Sequence, residues 1–276
     1  MTQPATAADV AEVVALVQAQ ASARQRLVDS ASAAVVALLP EGDGWWSSSR
    51  ITAMARGSVR AVEAAQRTMA ATTDAYLARV ASVEAGRRVG PVGAGAALKI
   101  ASLRGGVAHE DVYGRLADGY RWLRSTGVSA ARAQRRTVER VSVVVETDVS
   151  LAMRDQARRF MVVRRVDGWR RIVRPELSRS GVCGLCLVAA DRVYRKSDLM
   201  PLHARCKCEV LPIINGVDPG MTITGEDLGR IYTAAGGSTS GKALKRVRYA
   251  VRQHGELGPV LVNGDHEFRG PAAVAA

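Results

Sequence analysis

The chain has 276 residues, 47% of them hydrophobic but only 4% aromatic, with two Phe in the whole sequence. This excludes a thick aromatic core: burial must rest on Ala, Val and Leu, and Ala-rich stretches favour long helices. The 39 basic and 26 acidic side chains leave a net charge of +13, concentrated in residues 111–182, where there are 16 basic and 8 acidic groups and every cation is Arg.

In chain order, Thr6-x-x-Asp9 reads as a capping box. Val10, Val13, Val17, Ala21, Leu27, Ala31, Val35 and Leu38 then recur every three to four residues with one longer gap, predicting a long helix that stops at Pro40-Glu41-Gly42-Asp43-Gly44. A second helix is expected from about Trp45 to Glu84, carrying Ile51, Met54, Val59, Val62, Met69, Tyr76, Leu77 and Val80. The short connection makes the two an antiparallel pair. Trp45-Trp46 reads as a helix-start anchor, with an interface role as the alternative. Gly86 to Gly106 reads as a linker or a loop over the surface.

A third helix fits His109 to Arg124 and a fourth Ser129 to about Phe160, with Val138, Val141, Val145, Val149, Ala152, Met153 and Phe160 on one side. Val141-Ser-Val-Val-Val145 read alone is a strand, but its helical flanks decide for helix. Met161–Val166, Asp167-Gly168 and Trp169–Val173 then read as a β-hairpin around an Asp-Gly turn, closed by Pro175. Cys206 to Ile213 reads as a short strand. Thr224-x-x-Asp227 caps a short helix through Ala234. Gly236–Gly241 lacks phosphate-loop spacing and reads as a linker. A basic helix is expected from Lys242 to about Gln253, and Gly258 to Phe268 as an extended segment with a turn at Asn263-Gly264.

The expected class is therefore mainly α, with an elongated helical N-terminal region and a small α+β zinc-knot module. Its parts are 1–106, long antiparallel helices; 107–160, a basic helical segment; 161–215, a hairpin plus a Cys/His module; and 216–276, a helical C-terminal extension.

The sharpest signal is Cys183-x-x-Cys186, sixteen residues, then His203-x-x-Cys206-x-Cys208. Two thiolates three residues apart can grip one cation from a tight turn, and residues i and i+2 of a strand point to one side. Zinc takes four N or S ligands in a tetrahedron. Five residues compete for four places: Cys183 and Cys186, completed by Cys206 and Cys208 or by His203 and one of that pair. The alternatives are a disulfide or a reduced, packed thiol cluster. No thioredoxin-like βαβ pattern surrounds the pair, which argues against a redox motif. Four filled positions leave none for catalytic water, so the expected zinc is structural, supplying folding free energy to a module that buries little.

The stretch Arg170-Arg-Ile-Val-Arg-Pro-Glu-Leu-Ser-Arg-Ser-Gly-Val-Cys-Gly-Leu-Cys186, then Asp191-Arg-Val-Tyr194, then Pro201-Leu-His-Ala-Arg-Cys-Lys-Cys-Glu-Val-Leu-Pro212 resembles the signature of MuF-like phage head morphogenesis proteins. The closing Gln253-His-Gly-Glu-Leu-Gly-Pro-Val-Leu is similar to the tail of versions from actinobacterial phages. The likeness covers about residues 110–270, and the N-terminal helices only in kind. It implies a minor capsid protein, not an enzyme, made in the host cytoplasm and placed in the virion at or inside the portal vertex. Its partners would be the portal protein and the major capsid or scaffold proteins. Some relatives are fused to a maturation protease or a toxin; here no segment outside the module carries a Ser/His or Cys/His catalytic set.

Arg132, Arg135, Arg136 and Arg140 share one helical face, and Arg154, Arg158 and Arg159 form a second. A solvated face is the default for such runs, and GC-rich coding also favours Arg over Lys. The functional reading is contact with packaged DNA or an acidic partner. His109 and His254 read as surface or helix-end residues, and His266 as a solvated turn. No apolar run approaches the roughly 20 residues of a membrane span. No charged n-region precedes an apolar stretch, so synthesis in a cytosol is expected. No small-molecule substrate is implied. The competing readings are a zinc-ribbon-like DNA-binding regulator, for which no recognition helix stands out, and a zinc hydrolase, for which no catalytic His/Asp/Asn set is found.

Overall fold

The computed structural model describes residues 6–94, 98–166, 168–173, 182–195, 208–214, 225–254 and 258–263. Helix α1 spans Ala7–Ala37, and its capping box is formed: Asp9 N donates to Thr6 Oγ1 at 3.2 Å and Thr6 N to Asp9 Oδ2 at 2.9 Å. A 3-10 turn at Gly42–Trp46 leads into α2, Ser48–Ala85, which ends on Gly86 in the left-handed conformation that glycine adopts at least cost. The pair is antiparallel as expected. Glu12 of α1 meets Arg79 of α2, and further along Gln20 Nε2 donates to Thr73 Oγ1 at 2.9 Å. Towards the connection Leu38 lies over Gly57; a Cβ there would come within 2.9 Å of Leu38 Cδ1.

Residues 87–94 and 98–108 cross the surface, pinned at several points. The Asp74 carboxylate accepts from Val92 N at 3.0 Å and Gly93 N at 2.8 Å, and Ser82 Oγ accepts from Val89 N at 2.9 Å. Helices α3, His109–Ser125, and α4, Ala130–Arg164, form an αα-hairpin. The Val141–Val145 run is helical, with both valines fully buried. Trp45 anchors the α1–α2 turn as expected, stacked on Tyr120 of α3 with ring centroids 4.2 Å apart.

The hairpin expected across Asp167-Gly168 does not form. Helix α4 runs on through Arg164 because Phe160 and Met161 continue the buried series of Met153 and Ala157. Arg165 ends the helix at φ 56°, and Val166 N donates back to Met161 O at 2.9 Å. The strand after it, β1 (Gly168–Ile172), finds its partners later in the chain. It is the centre of a sheet ordered β3-β1-β4, antiparallel to both β3 (Val193–Arg195) and β4 (Glu209–Ile213).

A second sheet is ordered β2-β5-β6, from β2 (Val182–Cys183), β5 (Arg248–His254) and β6 (Gly258–Asn263). Three short helices accompany it: α5 (Gly184–Ala190), α6 (Gly225–Ala234) and α7 (Gly241–Leu244). The expected basic helix is thus four residues long, and the chain then turns to strand. Val247-Arg-Tyr-Ala-Val251 and Val260-Leu-Val262 are rich in residues that prefer a pleated surface, and they pair in register from Tyr249 with Asn263 to His254 with Gly258. The C-terminal extension is therefore only partly helical. The Thr224 cap, Pro175 and the Asn263-Gly264 turn involve residues outside those described.

The first sheet and the helices share one core. Trp169, Val210 and Leu211 pack with Val17, Val62, Met69, Leu77, Val145 and Phe160. Polar groups fix β4 in place. Arg24 of α1 meets Glu209 at 2.8 Å with both side chains buried, Tyr76 Oη donates to Val210 O at 3.1 Å, and Ile214 N donates to Glu84 Oε2 at 2.8 Å. A smaller cluster of Val182, Leu187, Val188, Ile231 and Leu244 holds the second sheet's surroundings.

Removing one partner of a buried ion pair strands the other charge, which typically costs about 3–5 kcal/mol. Arg24→Met should lower stability by about that much and Arg24→Lys by less, read from urea unfolding. An unchanged midpoint for Arg24→Met would show that β4 docks without this pair.

Candidate metal centre and basic surface

The chain reverses from β2 into α5 at the Cys-x-x-Cys segment, and this reversal brings the two sulfurs together. Cys183 ends β2 and stands at the N-cap of α5, and Cys186 lies in the first turn, with Sγ atoms 3.2 Å apart. Gly184 permits the turn: its N–H donates to Val247 O at 3.0 Å, and a Cβ would meet Leu244 O at 3.2 Å. Sulfurs bound tetrahedrally to zinc at about 2.3 Å stand about 3.8 Å apart, so a small side-chain rotation would fit this pair to the ion.

Cys208 is used differently. It is buried just before β4, and its Sγ accepts from Arg154 Nη2 at 3.2 Å and Arg171 Nη1 at 3.5 Å. The Arg171 guanidinium also lies over the rings of Trp169 and Tyr194, at 4.7 and 4.9 Å from their centroids. Among the described residues no three His, Cys, Asp or Glu side chains are grouped to hold a metal, so Cys208 does not join Cys183 and Cys186 in such a group. His203 and Cys206 lie outside the described residues.

The two Arg sets differ as well. Arg132, Arg135, Arg136 and Arg140 are all exposed. Arg158 is exposed and pairs with Asp155 at 2.9 Å, and Arg159 is half-buried. Arg154 does not belong to that surface: it is only 3% exposed and points into the sheet–helix junction, where it also donates to Cys208 O at 3.4 Å.

One polar site has no counterpart in the sequence reading. Asp148 of α4 is fully buried and accepts from Tyr113 Oη at 2.7 Å and Arg104 Nε at 2.5 Å, with His109 Nε2 3.6 Å away. Its backbone oxygen accepts from Gln66 Nε2 of α2 at 3.2 Å. His109, expected as a surface or helix-end residue, is at a helix end, the first residue of α3, and is buried there against this carboxylate. Burial pushes the Asp148 pKa up, but His109, the hydrogen bond and charge of Arg104, and the Tyr113 hydroxyl outweigh it and hold it below the usual carboxylate value. Burial, with the Asp148 charge beside it, pushes the Tyr113 hydroxyl well up. The only sequence signal was an acid in phase with an apolar helix face. The side chain of His254 and all of His266 lie outside what is described.

Among the described residues no helix is long and apolar enough to cross a membrane. Comparison of the chain with family models, with curated proteins and with solved structures finds no match in any of the three.

A carboxyl with a lowered folded-state pKa stabilises the fold above its unfolded value, about 3.9, and that contribution fades as pH falls through the folded value. Asp148→Asn should therefore be clearly less stable than wild type at pH 7, with the gap narrowing toward pH 3. Urea midpoints at the two pH values check this; a gap as wide at pH 3 as at pH 7 would mean the charge of Asp148 is not what stabilises.

Proposed function

We propose that this chain is an architectural minor head protein of the MuF-like kind, joining portal and capsid or scaffold proteins during the assembly of a tailed-phage head. The ordered signature from Arg170 to Pro212 carries this reading. The described part of that signature is employed in packing, which favours a structural role. Cys208 receives two guanidiniums at the sheet–helix junction, Tyr194 flanks Arg171, and Pro212 sits in β4 opposite Trp169.

The same reading assigns a structural zinc to Cys183 and Cys186, completed by His203 and Cys206, with Cys208 left to its arginines. Of the ligand sets open from the sequence, this is the one that does not require Cys208 to group with the Cys-x-x-Cys pair. The ion would crosslink the module and contribute folding free energy, not a reactive water.

Metal analysis of the full chain should give one zinc, lost in Cys183→Ser and kept in Cys208→Ser. Cys183→Ser should also lower incorporation into heads. The chain should co-purify with the portal protein encoded beside it. A chain absent from virions that instead selects one DNA sequence would favour the zinc-ribbon-like regulator and overturn the assembly role. Zinc lost in Cys208→Ser but kept in Cys183→Ser would overturn the ligand set.

A further inference from the structure

Arg132, Arg135, Arg136 and Arg140 fall at i, i+3, i+4 and i+8 on the first half of α4, so they form one stripe. At 1.5 Å per residue the stripe is about 12 Å long. Ala133, Thr137 and Val141 bury the opposite side of this half-helix, which fixes the stripe outward. Arg140 lies over α3, where a Cβ on Gly119 would come 3.7 Å from its Nη1.

None of the four forms an ion pair among the described residues, and Glu139 is the one acid between Ser129 and Arg140. Some other exposed arginines are paired, Arg56 with Glu110, Arg67 with Glu63, Arg79 with Glu12 and Arg158 with Asp155, while Arg26, Arg50, Arg60 and Arg115 form no ion pair among the described residues; the four of α4 are set apart by standing together in one row. Four guanidiniums are thus held in a row on a rigid element with their donors available, and guanidiniums bind phosphate bidentately. Duplex DNA presents one negative charge per about 1.7 Å of axis, so about seven phosphate charges lie opposite 12 Å of helix. The residues interleaved on the exposed side, Ala131 and Gln134 among them, offer no large apolar anchor of the kind that dominates protein–protein interfaces.

We propose that the first half of α4 is a sequence-independent face for duplex DNA, recognising the phosphate backbone through Arg132, Arg135, Arg136 and Arg140. This goes beyond the assembly role and does not rest on it: a chain can enter heads without this face, and this face can bind DNA outside them.

The test is fluorescence anisotropy of the full chain with a labelled 30-base-pair duplex of arbitrary sequence. Four phosphate contacts predict a loss of affinity of about 100-fold between 50 and 200 mM salt. The fourfold variant R132Q/R135Q/R136Q/R140Q should lose most of the binding and most of the salt dependence. The corresponding fourfold Lys variant should keep much of both, and far-UV circular dichroism should show unchanged helix content in each. The charge-matched variant R56Q/R60Q/R67Q/R79Q, altered on α2, should bind as wild type does. No binding at 50 mM, or equal losses in the α2 and α4 variants, would overturn the proposal. So would poly-glutamate displacing the chain as well as unlabelled duplex does, since an acidic protein surface would then fit equally. Trp122 is 64% exposed on α3. If Trp122→Ala weakened binding as much as the fourfold Gln variant, stacking would be the mode of recognition, and the duplex-backbone assignment would fall.

Discussion

The fold depends on the burial of an edge strand. β4 carries Glu209 into a site with no exposure, and a sheet edge cannot be buried unless its polar groups find partners. The helices supply them from several directions: Arg24 from α1, Tyr76 and Glu84 from α2, and Arg154 from α4. Each contact also sets a register. If α1 slid by one turn against β4, Arg24 would leave Glu209 and bring an uncompensated charge into the core. Such a charge costs several kcal/mol, comparable to the whole margin of stability of a domain.

Composition explains why polar contacts carry this weight. Helix faces built of Ala and Val are smooth, and smooth faces discriminate poorly between neighbouring registers. In this chain polar side chains sit in phase with the apolar ones and add directionality. Gln20 reaches Thr73 between α1 and α2, Gln66 reaches the Asp148 backbone between α2 and α4, and Tyr113 reaches the Asp148 carboxylate between α3 and α4. Asp148 is the meeting point, because Arg104 also ties the crossing segment to it. A buried network of this kind favours one arrangement over its near alternatives only when its members are matched, and Asp148 is matched by two cationic or neutral donors and a nearby imidazole.

The sequence revealed the long helices and their ends, because capping residues and a three-to-four-residue period are local signals. Thr6 and Asp9 cap α1 as expected, and Trp45 anchors the turn. Long-range features were harder to read. Met161–Val166 and Trp169–Val173 resemble a hairpin, but Phe160 and Met161 are committed to the helix core and β1 takes partners up to 45 residues away in sequence, at Ile213. Val247–Val251 follows a helix start, and its pairing with β2 and β6 makes it strand. At the candidate metal centre the closeness of Cys183 and Cys186 was legible from their spacing. The use of Cys208 was not, because it depends on Arg154 and Arg171 arriving from other elements.

The arginines of α4 show the limit most sharply. Spacing gave Arg132–Arg140 and Arg154–Arg159 the same appearance, two basic stripes on one helix. Burial around α4 changes along its length: the first half buries only Ala133 and Thr137 before Val141, while from Val145 to Met161 it is enclosed on most sides. That enclosure comes from β4 and from the neighbouring long helices, which reach the second half and leave the first half beyond the sheet. Identical residues at similar intervals are therefore all solvated in the first half, while in the second half Arg154 is structural and Arg158 stays exposed. A charge stripe becomes a surface only where the fold leaves the helix uncovered, so the boundary between binding and packing arginines on α4 is set by where the sheet docks, some fifty residues further along the chain.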